Sequence, residues 1–394
     1  MNILYCTYFN LNNYSAGLNR INNLRDSVKK RGINIVVVGS GCQSGPWECK
    51  EKENYKQIFF NQKIFSSIRH SKAMKFIAEA SKFYKNYLKE IVSTFKISGV
   101  IIYSPQGEMV GPIIRISKEL GIFIVADCGE YYDFSIHNLL NGTLFQQAYF
   151  KYLQMKKLDG ITASAPIWVK RANSLCLSNI LLPGLTTTKT TYRKSPSSNK
   201  KNINIVFMGK LIDREIPEVI FEALSLCKKK GLNFKFQLIG TKNQNYREKY
   251  WIKKLRGIKE LSDCTSFFGF VSNNKKKKIL ADSDIFIMLR SKSRETEHTF
   301  PSRVPEFMMS GNPVIISKVT PLEFYFKENY GVKFISCRNN FHELSDLIIE
   351  LAKNPLKRFQ VGKLGRKYAI KNFSLDKMGG RLSSFLFFLN KNRL

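Results

Sequence analysis

The stretch Glu297–Ser317, EHTFPSRVPEFMMSGNPVIIS, holds a helix start, a helix stop and a strand in immediate succession. Pro301 suits the first turn of a helix, where its missing N–H has no intrahelical partner, and Thr299 is placed to cap it. Phe307, Met308 and Met309 make the helix mostly buried. Gly311 ends it and Pro313 opens the apolar run PVIIS. A short buried helix feeding directly into a short buried strand is the local grammar of a parallel sheet flanked by helices.

That grammar repeats along the chain. In the first half the apolar runs are NILYC, NIVVVG, GVIIYS, GIFIVAD, GITAS and NILLP, with helical periodicity between them over 17–30, 106–120 and 144–157. In the second half they are INIVFMG, FKFQLIG, TSFFG, IFIML, PVIIS and VKFI. Between the two series lies TTTKTTYRKSPSSNKKN, Thr186–Asn202, which has almost nothing to bury and reads as a linker. The expected fold class is therefore α/β, with two doubly wound Rossmann-like domains, 1–188 and 200–373, facing a cleft at the carboxyl ends of their sheets. The final amphipathic segment, 374–394, is expected to return and pack on the first domain. A chain of 394 residues exceeds what one core usually organises, in keeping with two domains.

Composition narrows the function classes. A hydrophobic fraction of 43% with 24% charged residues is ordinary for a globular protein and excludes wholesale disorder. The net charge of +34 points to an anionic partner: nucleic acid, an acidic membrane face or a phosphorylated substrate. Cysteines at 6, 42, 49, 128, 176, 227, 264 and 337 form no CxxC pair and no metal-ligand spacing, and read as reduced thiols of a cytoplasmic protein. The start, MNILYCTYFN, reads as a first strand rather than a signal peptide, and no apolar run reaches the ~18 residues of a membrane span.

Several side chains carry chemistry. Glu306 is either a solvated helix residue or a carboxylate placed to accept two hydrogen bonds from a vicinal diol, as on a ribose, and spacing leaves both open. The start of its helix is a ready anion site. Lys210 follows Gly209 at the end of INIVFMG, with Arg214 in the same loop and Arg303 beside the Glu306 helix. Ser15, Ala16 and Gly17 sit where the first strand passes into the first helix, without the GxGxxG spacing of a dinucleotide site. Asp127 and Glu130 flank Gly129 at the carboxyl end of GIFIVAD, suited to binding an acceptor or handling its proton; an N-cap role for Asp127 competes equally. Asp282 and Asp284, in DSD, precede a buried strand and read as structural rather than as a metal-binding pair.

The run FPSRVPEFMMSGNPVI resembles the nucleotide-sugar signature of GT-B glycosyltransferases, in particular glycosyltransferase family 4, where a Glu precedes a small-residue helix end and Gly-x-Pro-Val. VFMGKL, LADSDIFIM and YSAGLNRINNLRDSVKKRGINIVVV fall in the same order as in that family, so the resemblance covers almost the whole chain. It implies a retaining, metal-independent glycosyltransferase of hexosyltransferase type. The donor is a nucleotide-diphosphate sugar, no cofactor or metal is needed, and the acceptor is a glycan or lipid-linked molecule of bacterial surface polysaccharide synthesis. By the same resemblance Glu306 binds the ribose, while Lys210, Gly209, Arg214, Ser302 and Arg303 hold the diphosphate. Strict counting from Ala223 sets Glu215, rather than Arg214, at the second cation's position. Asp127 and Glu130 serve the acceptor, with the first domain binding acceptor and the second binding donor. His298 stands eight positions before Glu306, where many relatives carry a second Glu near the transferred sugar; donor contact and a structural role both remain open, as does a shifted register through Glu295 or Glu297.

Two other function classes account for parts of the sequence. A nucleotide-sugar epimerase of the same fold needs more acid and base groups than the sequence places. A nucleic-acid-binding protein accounts for the charge but lacks a reading module, and no nucleic-acid partner is expected. The segment 61–96 mixes Lys and Arg with Ile, Phe and Tyr at helical spacing, either as a core stripe with a solvated basic face or as a surface for anionic lipid. With a lipid-linked acceptor, the latter implies a protein peripheral to the inner face of the cell membrane.

Overall fold

Short runs rich in Val, Ile and Phe, buried on both faces, pair side by side into two sheets in the computed structural model, which describes residues 1–13, 15–52, 55–63, 72–131, 136–188, 192, 195, 202–241, 246–319, 322–336 and 340–392. The chain divides into two compact units. The first is Met1–Leu185 with Glu297–Phe300 and Leu375–Leu394, and the second is Thr186–Thr296 with Pro301–Ser374.

The first unit carries β1 (Asn2–Asn10), β2 (Asn34–Ser40), β3 (Trp47–Lys52), β4 (Tyr55–Phe60), β5 (Ile97–Tyr103), β6 (Phe123–Cys128), β7 (Gly160–Ala163) and β8 (Ser178–Leu181). Their order is β3-β4-β2-β1-β5-β6-β7-β8. All neighbours are parallel except β3 and β4, an antiparallel pair that extends the sheet edge. The strand order reverses direction between β1 and β5, so the crevice at their carboxyl ends is the topological switch point.

Helices cover both faces of this sheet. Lys72–Thr94 buries Phe83, Tyr84, Leu88 and Ile91 against Leu4, Val38 and Ile102, while its lysines at 75, 82, 85 and 89 face water. The described part of the basic segment 61–96 thus has the plain amphipathic form, with its apolar stripe spent on the core; residues 64–71 lie outside the described residues. On the other face, the final helix Leu375–Lys391 lies against Ala16–Lys29. It buries Met378, Leu382 and Phe385, and Gly379 meets the Ser27 backbone where a side chain would have no room.

The second unit carries β9 (Ile203–Met208), β10 (Phe234–Ile239), β11 (Thr265–Gly269), β12 (Ile285–Met288), β13 (Val314–Ser317) and β14 (Val332–Ile335), in the order β11-β10-β9-β12-β13-β14 and all parallel. Here the order reverses between β9 and β12. Both sheets are thus doubly wound and Rossmann-like, as the apolar runs predict. Residues 189–191, 193–194 and 196–201 of the expected linker lie outside the described residues. The described cysteines are all free, Cys337 lying outside them, and no helix among the described residues is long and apolar enough to cross a membrane.

Candidate active site

At the switch point of the second sheet, β9 ends at Met208 and the chain turns through Gly209, whose φ of 146° lies in a region that L side chains rarely adopt. The guanidinium of Arg303 occupies the space a side chain there would need and donates to the Met208 carbonyl. Lys210 follows, exposed to solvent. The loop then forms a single 3-10 turn, Asp213–Glu215, which sends the Glu215 side chain inward.

Glu215 is the hub of the site. It is almost wholly buried, and its Oε1 accepts from Arg303 Nη2 at 2.8 Å, with Arg214 Nη2 at 3.6 Å and Arg290 Nη2 at 3.7 Å. Burial alone would raise its pKa, but the three guanidinium groups hold it below the usual carboxylate value. Arg290 follows the end of β12, and its backbone N–H donates to Ser317 Oγ at the end of β13 at 2.9 Å. Burial outweighs its attraction to Glu215 and, with repulsion from Arg214 and Arg303, lowers its pKa to about 10. Arg214 also pairs with Glu295. Three arginines against two carboxylates leave an excess of positive charge beside Lys210. Glu215 Oε2, Arg214 Nε and Arg290 Nε are buried without hydrogen-bond partners.

Glu306 lies in the short helix Arg303–Met309, its neighbours Phe307, Met308 and Met309 fully buried and its own carboxylate partly exposed. Lys276 Nζ, from helix Asn273–Asp282, lies 2.7 Å from its Oε1. The helix begins two residues later than Pro301 predicts. Ser302 stands at its N-cap position without a side-chain capping bond, and Pro305 occupies the first turn, where no N–H is required. Gly311 closes the helix with φ 76°. Asp284 is structural: its Oδ2 accepts from the Asn204 backbone N–H at 3.0 Å.

In the first unit the expected acceptor carboxylates divide. Asp127 is completely buried, accepting from Arg20 Nε and Nη2 at 2.8 Å each, Tyr5 Oη at 2.5 Å and Thr162 Oγ1 at 2.7 Å. Its oxygens are saturated, so the structure places it in a buried ion-pair network in place of the acid–base or N-cap position. Glu130 is only partly buried, and accepts from Tyr103 Oη at 2.8 Å. Ser15 caps the first helix, accepting from Leu18 N–H at 3.1 Å, with Ala16 exposed beside it. Gly17 packs on Tyr103, whose hydroxyl would lie 2.8 Å and whose nearest ring atoms 2.9 Å from an added Cβ. Gly17 therefore serves helix–strand packing.

His298 belongs to the first unit. Its ring stacks on Tyr131 with centroids 3.8 Å apart, and its carbonyl accepts from Trp168 Nε1 at 3.3 Å. It is buried in an aromatic cluster of that unit with Tyr131 and Trp168. Sequence reasoning missed Glu215 and Arg290 as members of the cation cluster of the second unit and Lys276 as the partner of Glu306. The only advance signal was the register counted from Ala223, which set Glu215 where a cation was expected.

Residues 188–368 match the family model described as Glycosyl transferases group 1. No curated protein matches the chain in sequence. Among solved structures it is similar to sucrose-phosphate synthase from Thermosynechococcus elongatus, with a TM-score of 0.75 and 13% identity over 99% of each chain. A glycosyltransferase from Rickettsia africae gives a TM-score of 0.72 with 15% identity, again over 99% of each chain. Anabaena HepE in complex with UDP-glucose gives a TM-score of 0.68 with 11% identity, over 98% of this chain and all of that one. The chain has the GT-B glycosyltransferase fold, and its second unit carries the group 1 match.

Proposed function

We propose that the chain is a retaining glycosyltransferase of hexosyltransferase type that takes a sugar from a nucleotide-diphosphate donor and passes it to a glycan or lipid-linked acceptor in surface polysaccharide synthesis. The observation that carries this reading is the cation cluster around Glu215, with its excess positive charge and unpaired guanidinium nitrogens, on the same sheet end as the half-exposed Glu306. A departing diphosphate needs fixed positive charge, which a low-dielectric site makes far more effective than water does.

In this reading Lys210 and Arg303 meet the diphosphate, while Arg214 and Arg290 add charge from behind. Glu215 holds the guanidinium groups in place, a task that a carboxylate kept ionised by its neighbours suits. Glu306 orients the nucleoside by accepting from the ribose diol, displacing Lys276. Metal-independent transfer follows, because the cations already on the chain supply the neutralisation. Glu130 faces the acceptor hydroxyl and Asp127 positions the loop that carries it.

The Anabaena neighbour binds UDP and UDP-glucose, so uridine diphosphate sugars are the first donors to test. Purified protein is heated with UDP, GDP, CMP and their sugars. A ligand of the folded state present at 100 times its Kd stabilises by about 2.7 kcal/mol. One nucleotide class raises the Tm, with or without a chelator. No rise with any nucleotide overturns the donor site, and a rise abolished by the chelator overturns metal independence.

A further inference from the structure

Residues 134–158, between Asp133 and Asp159, contain no acidic side chain and three lysines. Within this stretch the helix Thr143–Tyr149 runs on through a π turn, Phe150–Gln154, and a 3-10 turn, Met155–Lys157. Apolar side chains lie on both of its faces: Phe150 and Met155 are buried in the core, and a second set points the other way. The face turned to the protein carries polar Thr143, Gln146 and Gln154, with Gln146 2% and Gln154 3% exposed. Gln146 Oε1 accepts from the Glu108 backbone N–H at 2.7 Å and Gln154 Nε2 donates to the Gly107 carbonyl at 2.6 Å. These bonds fix which side faces inward.

The outward face, at spacings of three and four residues, carries Phe145, Tyr149, Tyr152 and Leu153 and ends in Lys156 and Lys157. Phe145 is 68%, Tyr152 64% and Leu153 53% exposed. Leu139 and Leu140 of the preceding short helix extend the patch at 55% and 79% exposure. Basic groups edge the aromatics: Arg171 lies 5.0 Å and Lys151 5.5 Å from the Tyr152 ring centre. Contiguous exposed apolar side chains of this kind mark an interaction surface.

We propose that this face docks the protein on an anionic lipid bilayer, the leucine and aromatic side chains entering the headgroup boundary while Lys151, Lys156, Lys157 and Arg171 meet lipid phosphates. Charge complementarity chooses the occupant. Aromatic and aliphatic groups flanked by cations, with no acid across 25 residues of chain, match a surface that is apolar below and negative above. The inference deepens the proposed function and rests on it for its purpose, since a lipid-linked acceptor is met at such a surface.

The test is co-sedimentation of the full chain with vesicles of phosphatidylglycerol and phosphatidylcholine, and with phosphatidylcholine alone. Wild type sediments with the anionic vesicles. The triple variant Phe145→Ser, Tyr152→Ser, Leu153→Ser, which leaves the net charge unchanged, binds them about tenfold more weakly or worse. Lys156→Gln with Lys157→Gln gives a second, milder loss and decides the matter should the triple variant fail to fold. Equal binding by these variants and wild type overturns the proposal, because general basic charge then accounts for adsorption. A concentration-dependent dimer broken by the triple variant, without any change in vesicle binding, also overturns it in favour of a second copy. Nucleotide stabilisation, measured without vesicles, separates the two readings: its loss with vesicle binding intact refutes the donor site alone, and the reverse refutes the lipid face alone.

Discussion

Arg20 and Asp127 form a two-pronged buried pair: Arg20 Nε donates to Asp127 Oδ2 and Nη2 to Oδ1, each at 2.8 Å. The same guanidinium donates to the Leu182 carbonyl at 2.9 Å, so one side chain ties the first helix to β6 and to the residue after β8. Burial alone would raise the Asp127 pKa, but the Arg20 charge and the bonds from Arg20, Tyr5 and Thr162 hold it below its usual value. Breaking such a pair leaves a charge buried and uncompensated, whereas replacing both partners does not.

Asp127→Ala is therefore expected to cost about 3–5 kcal/mol, read as a lowered urea midpoint. Arg20→Met combined with Asp127→Leu costs less than Asp127→Ala alone. A loss no larger than that of an exposed Asp→Ala change would show that the network carries no weight.

Glu215 gives a pH prediction. Its folded pKa lies below the unfolded value of about 4.3. The stability it contributes is thus fully present above that value and is lost as the pH falls through the folded pKa. Glu215→Gln lowers the Tm at neutral pH and flattens the fall in Tm between about pH 5 and pH 2. A parallel pair of Tm curves would contradict the hub role.

Gly17→Ala is expected to push Tyr103 away from Glu130, since its Cβ would meet the Tyr103 hydroxyl at 2.8 Å. Tyr103 is itself buried and has little room to yield. Overpacking of this kind costs about 1–3 kcal/mol. Thermal denaturation checks it, and an unchanged Tm would place a gap where the structure has contact.

The doubly wound plan was readable because its strands are buried on both faces, as in NIVVVG and PVIIS, and so appear as short unbroken apolar runs. The edge pair β3–β4 was not: WECKEK is charged at four of its six positions and resembles a loop until Phe59 and Phe60 of β4 find the core. Glu306 stood out as a carboxylate among apolar neighbours. Glu215 did not, because what marks it is three arginines from distant points in the chain converging on one oxygen. Periodicity found the helix at 144–157 but could not tell that its aromatic side faces outward, since glutamines hold the inner side through backbone bonds that leave no trace in hydropathy. Hydropathy likewise left the lysine-rich segment 61–96 open to two readings, a core stripe with a solvated basic face or a lipid surface, and its buried side chains Phe83, Tyr84, Leu88 and Ile91 lie in the core.

In the proposed donor site the Glu306 carboxylate binds the nucleoside, and titration calorimetry with the most stabilising nucleotide tests that role. A hydrogen bond to a charged group contributes about 1.5–3 kcal/mol, so Glu306→Ala is expected to weaken the nucleotide by about tenfold to a hundredfold with the Tm of the free protein nearly unchanged. Lys276→Ala, which removes a partly exposed ion pair, changes free-protein stability by about 1 kcal/mol or less and does not weaken the nucleotide. An affinity in Glu306→Ala equal to that of the wild type would contradict that role.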